Sequence, residues 1–353
     1  MRRRVLVARL DSMGDVLLAG PAVRAIAAQA DVVMLCSSRG AEAAHMLPGV
    51  LEVLEWDAPW ILDPAPQANA VHIATLVSMI AETRVSEAVI LTSFHQSPLP
   101  LALLLRVVGG INTFGISEDF AGSLLDVRLR PGVDVDEDIP EPERALAIAA
   151  AAGFGRIDDG RLRVRTPPSP SALSDGSPYT VLHPGAAVPA RRWPILGFVK
   201  TARMLQELGR RIVITGGEAE RELAQEIRHS APGAIDLTGS CTLPQLAGVI
   251  AGATSIVCGN TGPAHLAAAV GTPVVSLFSP VVPAVRWAPY KVPHRLLGDQ
   301  DAPCRGTRAR QCPVIGHPCL SRVRAEEVVR AVLDLEIQSA TDAGLYSETG
   351  ESQ

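Results

Sequence analysis

Arg4-Val5-Leu6-Val7-Ala8-Arg9-Leu10 is a short β-branched, apolar run. Residues 21–30 after it are Ala-rich and helical in composition, and Asp31-Val32-Val33-Met34-Leu35-Cys36 is a second β-branched run. The order is β-α-β, and both runs are apolar almost throughout, as expected of strands covered on both faces of a parallel sheet. Working outward, strands are expected at 50–54 and 87–92, with helices near 41–47, 70–84, 99–108 and 143–152.

Composition shifts at Arg165-Thr166-Pro167-Pro168-Ser169-Pro170-Ser171, where proline removes both helix and ladder options. The alternation then restarts with Tyr179-Thr180-Val181-Leu182-His183. Strands are expected at 211–215, 254–258 and 273–278, and helices at 195–208, 218–229, 243–251, 263–270 and 324–336. The chain therefore divides into a Rossmann-like unit over 1–165, a linker over 166–178, a second Rossmann-like unit over 179–337, and a polar tail over 338–353 that is expected to be disordered. Residues 279–318 are Pro-rich and read as one long irregular segment, which in a compact domain usually serves a function. Two doubly wound α/β sheets joined by a linker are expected to face a central cleft at the carboxyl ends of their strands.

The bulk properties restrict the function. The 353 residues are 47% hydrophobic and 20% charged, too apolar for a disordered chain. The formal charge of −5 offers no broad basic field, which argues against a nucleic-acid partner. All but Lys200 and Lys291 of the 32 basic residues are arginine, which carries no mechanistic weight. The apolar run behind Met1-Arg2-Arg3-Arg4 is broken by Arg9, Asp11 and Asp15, so it does not read as an export signal, and a cytoplasmic location is expected. Residues 99–111, the most apolar stretch, contain Pro100 and Arg106 and are shorter than the about 20 residues that span a bilayer. Six cysteines in a chain this long read as free thiols.

Four junctions carry chemistry. The first, Asp11-Ser12-Met13-Gly14-Asp15, lacks the Gly-x-Gly-x-x-Gly spacing of a dinucleotide site. It does place the Asp15 carboxylate beside the flexible Gly14 at a strand's carboxyl end, where it can act as a general base or simply cap the helix. The second, His183-Pro184-Gly185-Ala186 followed by Arg191-Arg192-Trp193-Pro194, lets an anion approach Gly185 and Ala186 under two guanidiniums. Solvated arginines and a Trp-Pro helix start explain the same residues equally well. The third, Thr215-Gly216-Gly217-Glu218, places an acid where it can accept from a ribose diol or cap a helix. The fourth, Gly259-Asn260-Thr261-Gly262-Pro263-Ala264-His265, turns into a helix whose first N–H groups can hold phosphate. His265 inside that helix reads as a packed residue or as a ligand contact.

Two metal-like patterns are weaker. Asp134-Val135-Asp136 and Asp136-Glu137-Asp138 spell Asp-x-Asp, but they lie in an acidic Pro-flanked loop and read as a solvated charge run. Cys304, Cys312, Cys319 and His317 lack the paired Cys-x2-Cys of a zinc knuckle. No metal site is expected.

Taken together, these motifs resemble glycosyltransferase family 9, the heptosyltransferase-like enzymes of GT-B fold, over roughly residues 4–335. The resemblance includes Gly259 to Pro273 as its most specific stretch. It also takes in the loop Pro303-Cys304, Gln311-Cys312-Pro313 and Gly316-His317-Pro318-Cys319-Leu320. It implies inverting transfer of a sugar, heptose or a related one, from a nucleotide-diphosphate donor to a hydroxyl of a glycan or glycolipid, without metal or other cofactor. An ADP-sugar is the implied donor, and lipopolysaccharide or a related cell-envelope glycan the implied acceptor class. Carried over by residue, Asp15 is the general base with Gly14 on the acceptor side. Arg191 stands where the family has a phosphate-contacting Lys, Glu218 is the ribose-binding acid, and Thr261, Gly262 and His265 hold diphosphate and sugar, with Gly185 and Ala186 beside them. Asn260 departs from the family's usual Asp, being neutral and able both to donate and to accept. Transient contact with the inner-membrane surface and closure about the linker are further expectations. The competing readings are a nucleotide-sugar epimerase and a nucleotide-sugar-binding protein that has lost turnover.

Overall fold

The computed structural model describes residues 2–165, 167, 173 and 175–348, in two compact units, 1–165 and 166–353. Most of the expected linker, residue 166 with 168–172 and 174, lies outside the described residues.

The first unit runs β1 (Arg4–Arg9), α1 (Met13–Leu18), α2 (Gly20–Ala27), β2 (Asp31–Cys36), α3 (Ala41–Met46), β3 (Val50–Glu55) and α4 (Ala70–Thr83). It continues with β4 (Glu87–Ile90), α5 (Leu99–Val108), β5 (Asn112–Ile116), β6 (Val127–Leu129) and α6 (Glu141–Ala151). All six strands are parallel, in the order β3-β2-β1-β4-β5-β6. In the central β1, Leu6 lies beside Val33 on one side and Ala88 on the other, and Val5, Leu6 and Val7 are fully buried. That two-sided burial is why the strand carries no polar alternation. Leu76 and Ile80 of α4 and Leu101 and Leu105 of α5 cover Leu6, Leu35 and Ile90, while α2 packs on α6. The chain leaves β3 at one edge and returns through α4 to β4 beside β1, so the strand order reverses there. The carboxyl ends of β1 and β4 therefore lie at the switch point of the strand order, the place where such sheets commonly bind ligands.

The helix expected over 21–30 is α2, which ends at Ala27, and an unexpected helix, α1, precedes it; the two meet at Ala19, because Pro21 near the start of α2 has no N–H to continue the ladder of α1. Strands β5 and β6 escape a reading by composition, since Asn112 and Gly115 are poor strand formers and β6 has three residues.

The second unit repeats the connectivity. It runs β7 (Tyr179–His183), a 3-10 turn (Pro189–Arg191), α7 (Ile195–Glu207), β8 (Arg211–Ile214), a 3-10 turn (Glu218–Glu220), α8 (Arg221–Ser230), β9 (Ile235–Asp236) and α9 (Leu243–Ala251). Then come β10 (Ser255–Gly259), α10 (Gly262–Val270), β11 (Val274–Leu277), α11 (Ala284–Trp287), β12 (His294–Leu297), α12 (Pro318–Ser321) and α13 (Ala325–Glu348). The parallel order β12-β11-β10-β7-β8-β9 reverses between β7 and β10. Phe198 and Leu205 of α7 with Val328, Val332 and Leu335 of α13 close over Leu182, Val257 and Leu277.

The stretch 279–318 is not irregular throughout: β12 adds an edge strand beside β11, Val274 pairing with His294. The start of the tail, expected to be disordered, is helical. Helix α13 continues to Glu348, since no proline or glycine interrupts it before Gly344. Residues 349–353 lie outside the described residues.

Candidate functional site

At the carboxyl end of β1, Arg9 is 4% exposed and surrounded by acids. Its Nε lies 3.0 Å from Asp11 Oδ2, its Nη2 3.0 Å from Asp15 Oδ1 and its Nη1 3.6 Å from Glu141 Oε2, and Arg144 Nε lies 3.6 Å from Glu141 Oε1. Arg9 Nη2 also donates to Ser93 Oγ at 2.8 Å, which ties the loop after β4 to the end of β1. Gln96 completes the tie: its amide N–H donates to Asp11 Oδ1, and its Oε1 accepts the Ser93 N–H at 3.0 Å.

Burial alone would lower the Arg9 pKa, but Asp11, Asp15 and Glu141 outweigh it and the net shift is upward, so the guanidinium stays charged. Burial pushes the Asp11 carboxyl up to about 6 against the pull of Arg9 and Gln96, with Asp15 adding to the rise. Asp15, in the first turn of α1 next to the buried Gly14, also accepts from Ser12 Oγ at 3.1 Å. Its side chain is 20% exposed against 12% for Asp11. Of the two carboxylates, Asp15 is the more exposed.

In the second unit the adjacent strands β10, β7 and β8 bring their carboxyl ends together, and three of the quoted junctions meet there. Arg191 Nη1 donates to the Asn260 carbonyl at 3.3 Å. The turn before it presses on β10 so closely that a Cβ at Gly259 would lie 2.8 Å from the Arg191 carbonyl oxygen. Arg192 Nε donates to the Ala186 carbonyl at 2.7 Å, so each of the two adjacent guanidiniums bonds a backbone carbonyl of a loop at this end of the sheet. His183, at the end of β7, is buried against Thr215 Oγ1 at 3.0 Å, and burial pulls its pKa down to about 4, leaving it neutral.

Other expected site residues take particular places. Glu218 is exposed and paired with Arg221, which lowers its pKa. Thr261 is the N-cap residue of α10, without a side-chain cap bond, followed by Gly262 as the first helical residue, and His265 is buried in that helix. The face of Gly185 expected to be open is covered: the Glu220 side chain lies across it, so that a Cβ there would meet the carboxyl carbon at 2.8 Å. Glu220 Oε2 also accepts the Gly217 N–H at 2.8 Å.

Asn260 is not a helix cap. Its Nδ2 donates to the Ser279 carbonyl at 3.1 Å and its Oδ1 accepts the Ser279 N–H at 3.2 Å, a reciprocal clasp between the exits of β10 and β11. Only an amide satisfies both groups; a carboxylate would face the Ser279 carbonyl with no proton to offer. Asn260→Asp is therefore expected to cost about 1–3 kcal/mol of stability. An unchanged urea midpoint would overturn this assignment of the clasp.

Three members of the metal-like patterns have other partners. Asp134 binds Arg130 through both oxygens, at 2.8 and 3.1 Å. The His317 ring Nε2 donates to the Ala190 carbonyl at 3.1 Å and Cys312 Sγ to the Val314 carbonyl at 3.3 Å. The six cysteines are free thiols, and burial pushes Cys36 and Cys258 up to about 12. Among the described residues no three His, Cys, Asp or Glu side chains gather as a metal site, and no helix is long and apolar enough to cross a membrane.

Sequence reading missed Arg9, Ser93, Gln96, Glu141 and Glu220. The one local signal was Arg9, a charged residue that closes β1 behind the apolar run Val5 to Ala8.

Residues 96–316 match glycosyltransferase family 9 (heptosyltransferase). Lipooligosaccharide heptosyltransferase 2 of Haemophilus influenzae is 32% identical over 119 residues, 32% of this chain and 34% of that protein. Lipopolysaccharide heptosyltransferase 3 of Escherichia coli is 30% identical over 177 residues, 48% of this chain and 50% of that protein. The chain thus matches between about a third and a half of the length of these curated relatives. Among solved structures, a family 9 glycosyl transferase from Veillonella parvula superposes with a TM-score of 0.74 at 18% identity, covering 95% of this chain and 97% of that one. ADP-heptose lipopolysaccharide heptosyltransferase II of E. coli superposes with 0.70 at 20% identity, covering 96% and 99%. An E. coli heptosyltransferase solved with ADP gives 0.69 at 18%, covering 94% and 99%. The shared architecture is the GT-B fold.

Proposed function

The chain belongs to glycosyltransferase family 9, and from that premise we propose that it is an inverting, metal-independent glycosyltransferase. It would move heptose or a related sugar from an ADP-linked donor to a hydroxyl of a lipopolysaccharide-type glycan or glycolipid. The observation that carries the reading is the approach of Arg191 to Asn260 at the start of the α10 turn, where strand order reverses between β7 and β10. A diphosphate placed there meets one guanidinium and the N-terminal end of a nine-residue helix.

The acceptor oxygen attacks the anomeric carbon as its proton passes to Asp15, and the carbon–oxygen bond to the diphosphate breaks with its electron pair on the leaving phosphate. The configuration inverts because attack and departure take opposite faces. Positive charge supplied by Arg191 and the helix end favours the transition state over the ground state, since the leaving diphosphate gains negative charge only as the bond breaks. In this reading Glu218, beside the end of β8, accepts from the ribose diol, and Thr261, Gly262 and His265 border the sugar and diphosphate. Contact with a membrane surface is transient and follows the acceptor.

The test is calorimetric titration with ADP-, GDP-, UDP- and dTDP-sugars, with and without EDTA. Micromolar binding of the ADP-sugar, unchanged by EDTA, is expected. Binding that needs a divalent ion, or a sugar nucleotide converted with no acceptor present, would replace the proposal with a metal-dependent transferase or an epimerase.

A further inference from the structure

Residues 299–321 carry the cysteine-containing motif that the proposed reaction leaves unused, and they grip the turn that presents Arg191. Ala190, in the middle of that turn, is 1% exposed, so its backbone groups cannot turn to solvent. Its N–H donates to the Arg310 carbonyl at 3.0 Å. Its carbonyl accepts from His317 Nε2 at 3.1 Å. Slightly further along, Trp193 Nε1 donates to the Val323 carbonyl at 3.3 Å. The turn sits where these groups hold it, and Arg191 moves with the turn.

His317 adopts an uncommon backbone to make this contact. Gly316 and His317 are both left-handed, with φ of +80° and +52°. Histidine is among the few side chains enriched in that region. A local network holds it: the His317 N–H donates to Val314 O at 3.1 Å, the Leu320 and Ser321 N–H groups return to His317 O at 3.2 and 3.0 Å, and Ser321 Oγ donates to Gly316 O at 2.8 Å. A strained backbone persists where its surroundings over-determine it, often for the sake of a contact. Beneath the loop, Cys304 and Cys319 are core residues at 2% and 1% exposure, and burial pushes the Cys319 thiol up to about 11, so it packs and does not react.

We propose that His317 is a positioning residue for Arg191: by fixing the Ala190 carbonyl through Nε2–H, it sets the guanidinium that meets the donor diphosphate. The inference rests on the reading of Arg191 as the donor's diphosphate contact. It assigns the histidine of the cysteine loop a role in donor affinity in place of metal binding.

The test compares His317→Asn, whose amide is too short to reach Ala190 and which tolerates the left-handed backbone, with His317→Gln, whose amide reaches about as far as Nε2. ADP, GDP, UDP and dTDP are titrated by calorimetry, and each variant is also made on Arg191→Ala. Binding of the preferred diphosphate is expected to weaken about tenfold in His317→Asn, to recover to within about twofold in His317→Gln, and to change less than about twofold in His317→Asn once Arg191 is alanine. Wild-type affinity in His317→Asn, or an equal loss on the Arg191→Ala background, overturns the proposal. Should His317→Asn not fold, His317→Gly, which keeps the left-handed backbone and offers no side-chain donor, takes its place under the same criteria. If wild type binds none of the four, or Arg191→Ala binds as well as wild type, it is the donor-site reading that fails.

Discussion

Asp15→Asn is expected to lower the transfer rate by about 10²–10⁴-fold while leaving nucleotide binding unchanged. The substitution preserves shape: the amide oxygen still accepts from Arg9 Nη2, which donates to Asp15 Oδ1 at 3.0 Å. What disappears is the capacity to take a proton from the attacking hydroxyl. The groups proposed to hold the nucleotide diphosphate belong to the second unit, so unchanged nucleotide affinity is the control that the variant keeps its fold. The neighbouring acid separates chemistry from architecture. Asp11 is more deeply buried, takes one bond from Gln96 and faces Arg9 Nε at 3.0 Å, so Asp11→Asn should act on stability and on the placement of Arg9 before it acts on the chemical step. Transfer rates in Asp15→Asn within a few-fold of wild type, at unchanged melting temperature, would remove Asp15 as the base. A rate loss of the same size in Asp11→Asn alone would reassign the role to Asp11.

The sequence made these two roles hard to separate for a physical reason. The β-α-β opening was legible because β1 and β2 are buried on both faces, and a two-sided burial writes an apolar run into the chain. The Gly-rich exit from β10 was legible because a tight turn into a helix demands particular residues in succession. The carboxylate network was not, since its members come from the ends of different strands: Ser93 stands 84 residues from Arg9, and Glu141 follows at the start of α6. Nothing local marks a residue whose partner arrives through strand order. The partner of Asn260 was hidden for the same reason. Its position before a helix suggests a cap, while its actual partner, Ser279, leaves the neighbouring strand 19 residues later. Glu220 over Gly185 is a third case, an acid that sequence reading passed over in favour of the more exposed Glu218.

Arg191→Ala should lower kcat/KM by about 10²–10³-fold, with most of the loss in kcat. The expectation turns on where charge grows. Intact donor already carries a diphosphate, and Arg191 attracts it in the ground state; as the glycosyl bond breaks, the leaving oxygen gains charge that the guanidinium meets only then. A loss confined to KM would mean uniform binding, and the cradle would then hold the donor without assisting its cleavage. Arg191→Lys restores the charge but not the planar fork, so partial recovery is expected, with kcat above that of alanine and below wild type. Arg192→Ala supplies the internal comparison. Its guanidinium bonds to the Ala186 carbonyl at 2.7 Å, so its removal should disturb the loop after β7 and raise KM more than it lowers kcat. Two adjacent arginines of equal charge, each bonded to a backbone carbonyl, would then differ in effect because only Arg191 is proposed to meet the donor diphosphate. Equal losses of kcat in the two alanine variants would show that charge in the loop, and not the aim of Arg191, assists departure of the diphosphate.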